Sequence, residues 1–220
     1  MTVTRVVGKG RTTDIAGAAL GEMQARFATT AVDVGTGDGR FAYHLASAHP
    51  AQLVIGIDAL AANMGERAAT AARKPAKGGR PNLVFVHAAI EALPAELAHI
   101  ADEVHVLLPW GGLLEGIVLG RDDVIGGLAG LCRPGARVMV TLNGEIWLDS
   151  TPARYAQLPL PTPEYVADVI APGFARAGIE IGAARFSTAE EAKQLPTTWA
   201  RRLGHGRDHP SFVQFGGVAS

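Results

Sequence analysis

Asp33-Val34-Gly35-Thr36-Gly37-Asp38-Gly39-Arg40 follows a strand-like run near residues 30–34, and the next hydrophobic run, Leu53-Val54-Ile55-Gly56-Ile57, ends on Asp58. A glycine-rich turn after one strand and an acid closing the next is how an α/β sheet holds an adenosine-containing cofactor. The glycines fall at 35, 37 and 39, giving Gly-x-Gly-x-Gly. A dinucleotide fingerprint needs Gly-x-Gly-x-x-Gly, whose third glycine lets the helix pack close to the strand, and Arg40 stands there instead. A nicotinamide oxidoreductase is therefore disfavoured. Asp33, at the strand end, is placed to meet an ammonium or a water network. Asp58 is placed to accept hydrogen bonds from ribose hydroxyls, and Glu91, in Ala88-Ala89-Ile90-Glu91, lies where such folds bind adenine. Acids serving as helix caps around a glycine turn would explain one such position; three together point to S-adenosylmethionine (SAM). The cofactor-binding set on this reading is Asp33, Gly35, Thr36, Gly37, Asp58, Ile90, Glu91 and Leu107.

Outward from this turn, strand-like runs near 30–34, 52–57, 83–87, 103–108 and 136–142 alternate with helical stretches. Continuous apolar runs such as Leu83-Val84-Phe85-Val86 suit a parallel sheet covered on both faces. Arg133-Pro134-Gly135 is a turn feeding the fifth strand. Upstream, Gly8-Lys9-Gly10 looks like a short hairpin, with Asp14 as N-cap of a helix running to about Phe27. Downstream, Thr151–Pro163 holds four prolines and reads as a loop or short inserted element. A helix near 164–177 ends at Gly178, a strand follows near 179–186, and Phe212-Val213-Gln214-Phe215 makes a last strand. The expected architecture is α/β: a Rossmann-like class I methyltransferase with a seven-stranded, mostly parallel sheet, an antiparallel last strand and an N-terminal β-hairpin extension. One domain covers 1–220, with the hairpin in 1–14 and connecting segments for substrate recognition at 143–178 and 187–210.

With 19% charged and 48% hydrophobic residues the chain is not a disordered one. No apolar run approaches the ~18 residues of a membrane helix. Arg5, Lys9 and Arg11 have no apolar stretch behind them, so no signal peptide is expected and the cytoplasm is the expected home. The single cysteine, Cys132, reads as a small core residue, and the seven histidines show no ligand spacing, so no metal is expected. The formal net charge is −1, yet from Arg67 to Arg80 there are five basic residues (Arg67, Arg73, Lys74, Lys77, Arg80) and no acid. Lys193, Arg201, Arg202 and Arg207 form a second group. A basic run is most often a solvated face, but two patches on a near-neutral chain suit a local nucleic-acid footprint.

The acceptor end is read from tryptophans. The fourth strand ends Leu107-Leu108-Pro109-Trp110-Gly111, and ligands of open α/β sheets bind at the carboxyl ends of strands, which sets Trp110 beside the transferable methyl group. Trp199, in Thr197-Thr198-Trp199-Ala200-Arg201-Arg202, falls on the same edge if the last strand is antiparallel. Two indoles there make a clamp for a flat acceptor, and stacking contributes ~1–3 kcal/mol per base against the few lost in flipping one out. Trp147 has no such placement and reads as packing.

Val7-Gly8-Lys9, the Asp33–Arg40 segment, Lys74-Pro75-Ala76-Lys77-Gly78-Gly79, Leu108-Pro109-Trp110-Gly111 and Trp199-Ala200-Arg201-Arg202-Leu203 together resemble the aminoglycoside-resistance 16S rRNA methyltransferases. The match is to the kanamycin–apramycin type, which methylates N1 of adenine 1408, and runs from about residue 5 to 215. The resemblance implies a SAM-dependent enzyme that docks on the assembled 30S subunit at the decoding site of helix 44, with no partner subunit needed, and flips one adenine. It makes Trp110 and Trp199 the two faces of the base sandwich, with the Pro109 backbone and Thr197 fixing the base edge. It implies RNA contacts from Lys9, from Arg73, Lys74 and Lys77, and from Arg201, Arg202 and Arg207. One departure is His209, where a further arginine is expected in the tail; a histidine is only partly charged near neutrality. The rivals are another RNA methyltransferase, such as a tRNA guanine-N7 enzyme, a small-molecule methyltransferase, and a non-catalytic SAM-binding or ribosome-binding module.

Overall fold

The computed structural model describes residues 2–8, 11–144, 155, 157–187, 191 and 212–220. Thr2–Gly8 (β1) and Arg11–Ala16 (β2) pair as an antiparallel hairpin from Thr2↔Ala16 to Gly8↔Arg11. Asp14 therefore caps no helix. β-branched Thr12, Thr13 and Ile15 carry the extended backbone through Ala16, and Asp14 instead accepts a 3.0 Å hydrogen bond from Thr4 Oγ1 across the hairpin. The first helix, Gly17–Gln24 (α1), begins without a side-chain cap.

Strand and helix then alternate: Thr29–Val34 (β3), Arg40–Ala48 (α2), Gln52–Asp58 (β4), Ala61–Ala71 (α3), Leu83–His87 (β5) and Ala101–Leu107 (β6). Gly111–Val118 (α4) and Asp122–Leu131 (α5) precede Cys132–Asn143 (β7). A helical run follows: Pro163–Tyr165 (α6), a π segment at Val166–Ile170, then Ala171–Arg176 (α7). Pro172, in the first turn of α7, has no N–H to continue the regular ladder. Three strands close the chain: Ile179–Ile181 (β8), Arg185–Ser187 (β9) and Phe212–Ala219 (β10).

The strand order is β2-β1-β5-β4-β3-β6-β7-β10-β8, with β9 also on β10. Five central strands run parallel, and β10 lies antiparallel beside β7, as expected. Among the described residues the sheet has ten strands: the seven expected, with one of them split in two, and the two of the expected hairpin. The hairpin joins its edge through Arg5↔Val86, and the strand foreseen over 179–186 is two short ones on β10. Arg133-Pro134-Gly135 is a turn inside the span of β7: the register jumps from Ala101↔Cys132 to Glu103↔Arg137, and Gly135 takes φ +80°.

Both faces are packed. Val32, Val34, Val104, Val106, Val138 and Val140 bury one face against Leu114, Ile117, Ile125, Leu128 and Phe174. On the other, Val54, Leu83 and Phe85 meet Ala42, Ala46, Met64 and Ala68. Each large apolar side chain so buried contributes ~1.5–3 kcal/mol, which explains why the parallel strands read as unbroken apolar runs. Phe85 fills the space beneath Gly39 and Gly56: a Cβ on Gly39 would stand 2.6 Å from its ring, and one on Gly56 2.7 Å. Strand order reverses at β3, whose neighbours are β4 and β6, so a crevice opens at the carboxyl ends of these strands.

Candidate active site

The crevice is a cleft of about 760 Å³ at that edge. Asp33, Gly35, Thr36, Gly37, Asp58, Ile90, Glu91 and Leu107 all line it, so the fold brings together every residue of the cofactor set read from the sequence. Gly35, Gly37 and Gly39 take φ +71°, +55° and +73°, a left-handed path that side chains other than glycine's rarely follow. The turn is tied to β4: the N–H groups of Gly35 and Thr36 both donate to Ile57 O, at 2.8 and 3.0 Å, and Gly37 N–H donates to Asp58 Oδ2 at 2.9 Å. Asp58 Oδ1 accepts from Leu60 N–H at 2.8 Å. Burial raises the Asp58 carboxyl above the ordinary range, while these two backbone bonds pull it back.

Asp33 is only 2% exposed, and Thr36 Oγ1 donates to its Oδ2 at 2.5 Å. Burial pushes its carboxyl up to about 7, against the pull of the Thr36 bond, and the nearby Asp58 charge pushes the same way. Glu91 lies exposed on a single 3-10 turn, Ile90–Ala92, with Ile90 buried beneath it. Gly127 of α5 supports that turn from behind: a Cβ there would stand 2.1 Å from Ile90 O.

A cleft of this size lies within the roughly 300–1,000 Å³ of small-molecule and cofactor sites. Four carboxylates, those of Asp33, Asp38, Asp58 and Glu91, and apolar Ile57, Ile90, Leu107 and Leu113 line it. That lining suits a ligand with positive charge and a flat ring, and is a poor cradle for a pyrophosphate.

At the acceptor end the chain doubles back after β6. Leu108 takes φ +51° and Gly111 φ +61°, with Leu108 N–H donating to Thr141 O at 2.8 Å. A left-handed leucine is strained, and such strain collects where a side chain must be aimed. Between them Pro109 is buried and Trp110, half-buried, lines the cleft. Tyr155, 2% exposed, supports Trp110: the ring centroids are 5.7 Å apart at a 59° tilt, and Gly111 N–H donates to Tyr155 Oη at 2.8 Å. The sequence reading missed Tyr155. Its only signal was a large aromatic in a proline-rich stretch, too little to pair it with a residue 45 positions upstream.

Arg73, Lys74 and Lys77 are exposed on the α3–β5 connection. Lys9, Thr197, Trp199, Arg201, Arg202 and Arg207, with Trp147 and His209, lie outside the described residues. Cys132 is buried, as read: its Sγ donates to Leu128 O at 3.3 Å, and burial pushes the thiol up to about 11. Among the described residues no three His, Cys, Asp or Glu side chains group as a metal site, and no helix is long and apolar enough to cross a membrane.

A sheet that reverses at β3, with a glycine turn and an acid-lined cleft at its carboxyl edge, defines a Rossmann-like class I methyltransferase. Residues 4–217 match the family model described as NpmA, 16S rRNA (adenine(1408)-N(1))-methyltransferase, and the chain belongs to that family. It is 42% identical over 204 residues, 93% of either chain, to the 16S rRNA (adenine(1408)-N(1))-methyltransferase of Streptoalloteichus hindustanus. It superimposes with a TM-score of 0.90 and 40% identity, covering 99% of this chain and 96% of the other, on the corresponding enzyme of Catenulisporales acidiphilia. That enzyme was crystallised as a tryptophan-to-alanine variant with its cosubstrate SAM. The aminoglycoside resistance methyltransferase NpmB1 matches over the whole of both chains with a TM-score of 0.84 and 33% identity.

Proposed function

We propose that this chain, as a cytoplasmic monomer, docks on the 30S subunit at helix 44 and methylates N1 of adenine 1408, conferring resistance to aminoglycosides. The observation that carries this reading is the Leu108–Gly111 turn, which presents Trp110 at the mouth of an acid-lined cofactor cleft. When bound, SAM supplies a sulfonium-activated methyl group that the ring lone pair of adenine N1 takes without first losing a proton. The chain's contribution is then to orient and to exclude water, and orientation alone can supply ~7–11 kcal/mol of barrier reduction in favourable cases. Asp33 faces the amino-acid end of the cofactor, Asp58 the ribose hydroxyls, and Ile90 with Glu91 the adenine ring. Gly35, Thr36, Gly37 and Leu107 shape the walls between them. Trp110 and Trp199 stack on the two faces of the flipped target base. The Pro109 backbone and Thr197 fix its edge, while Lys9, Arg73, Lys74, Lys77, Arg201, Arg202 and Arg207 contact rRNA phosphates.

Trp110→Ala and Trp199→Ala test the base clamp. Each should slow methylation of 30S subunits by at least ~10-fold, from the loss of a stacking face, with SAM affinity by calorimetry held within a few-fold. Full activity in either variant removes the sandwich.

A further inference from the structure

The basic run of residues 67–80 contains two kinds of side chain. Arg73, Lys74 and Lys77 are exposed, whereas Arg67 and Arg80 are half-buried and converge on one ring, that of Tyr43 on α2. The guanidinium carbon of Arg80 lies 4.7 Å from the ring centroid and that of Arg67 5.6 Å, both within cation–π range. Arg80 is committed further: its Nε donates to Ser47 Oγ at 2.6 Å and its Nη1 to Gly79 O at 2.8 Å. Tyr43 Oη donates to Gly78 O at 2.6 Å.

The segment so gripped is itself tightly wound. Pro75–Lys77 makes one 3-10 turn. Lys77 and Gly79 N–H both donate to Lys74 O, at 2.8 and 3.1 Å, and Arg80 N–H returns to Ala71 O at 2.9 Å. Gly79 is obligatory, because a Cβ there would lie 1.7 Å from Arg73 O.

We propose that Tyr43 and Arg80 are positioning residues for rRNA docking: they clamp the 74–79 turn to α2, so that Arg73, Lys74 and Lys77 form a preformed phosphate-binding set. Arg67 and Arg80 serve the clamp and touch no phosphate. The inference rests on the reading that Arg73, Lys74 and Lys77 face rRNA. Its physical basis is preorganisation: a loose turn carrying three long cationic side chains must be ordered on docking, and a clamped one already is.

The test is steady-state methylation of 30S subunits by the full chain, with SAM affinity measured alongside. Tyr43→Leu removes ring and hydroxyl and should raise KM for 30S ~10-fold, with kcat and SAM affinity within twofold. Tyr43→Phe keeps the ring and loses only the bond to Gly78, and should raise KM ~3-fold. An unchanged KM in both, or a fall in kcat at unchanged KM, overturns the clamp. Salt dependence of 30S binding separates the two arginine roles: Lys74→Gln should reduce the slope by ~1, and Arg80→Gln should leave it at the parent value. A shallower slope for Arg80→Gln makes Arg80 a phosphate contact and overturns the division. If Lys74→Gln leaves both slope and KM unchanged, the docking reading itself fails; if it acts while the Tyr43 variants do not, only the clamp fails.

Discussion

Asp33 carries a burial penalty that the bound cofactor can relieve. Its carboxyl titrates near 3.8 in the unfolded chain and at about 7 when folded, so between those values the native state holds a proton that the unfolded state has lost. Stability from this group is intact below about pH 4, falls as pH rises, and is gone above 7, a loss of ~4 kcal/mol. Asp33→Asn, which cannot ionise, should melt higher than the parent protein at pH 8, with the gap closing towards pH 4; parallel melting curves contradict this. On the proposed role, a SAM ammonium beside Asp33 favours the carboxylate. Calorimetry in buffers of different ionisation enthalpy should therefore show proton release on SAM binding near pH 6, and none for Asp33→Asn. Tyr155→Phe tests the turn behind Trp110. Gly111 N–H loses its acceptor, which costs ~1–3 kcal/mol, and 30S turnover should fall more than SAM affinity. Equal losses would make Tyr155 a wall of the cofactor cleft alone. Asp33 and Asp58 were legible because strand ends fix where their side chains stand. The depth of Asp33's burial and the Tyr155 contact were not, since both depend on elements distant in sequence.

At the scale of elements, the cofactor edge depends on close packing behind it. Gly127→Ala drives a methyl group into Ile90 O and must displace the turn that carries Ile90 and Glu91. The expected cost is ~1–3 kcal/mol of stability, with SAM affinity falling ~10-fold although α5 is behind the cleft wall. Gly126→Ala is the control: nothing lies within 4 Å of its Cβ, so gained helix propensity should stabilise by ~0.5–1 kcal/mol. Thermal melts and calorimetry on the pair decide the matter, and equal behaviour of the two variants would contradict it. The five parallel strands were legible as apolar runs because both faces of each are covered. The hairpin's reach to Ala16 was hidden, because Asp14 carries a strong helix-cap signal that cross-strand pairing overrode. The break between β8 and β9 was hidden too: Gly182 N–H continues the β8 ladder to Gly216 O, but the pairing with β10 then slips by one residue before Arg185↔Gln214.

Over the whole molecule, chemistry and charge stand apart: the cleft opens at the carboxyl ends of β3, β4 and β6, and Arg73, Lys74 and Lys77 sit on the connection leading into the start of β5. A formal charge of −1 gives no general attraction to RNA, so on the proposed docking it is the placement of Arg73, Lys74 and Lys77 rather than net charge that supplies the attraction. The Lys74→Glu variant should bind 30S subunits more weakly at every salt concentration, and most visibly at low salt. Binding unchanged at low salt would make this run a solvated face. The donor was legible in the glycine turn at 33–39 taken with Asp58 and Glu91, because a glycine turn is a local device and each acid stands at or just past a strand end. The acceptor reading drew on motifs far apart, of which Trp110 lines the cleft and Trp199 lies outside the described residues. The most direct measurement is incubation of 30S subunits with labelled SAM and this chain, followed by reverse transcription of the 16S rRNA. A stop adjacent to adenine 1408, with label in the rRNA, is the expected result; label in free tRNA with no stop at that adenine would contradict the account.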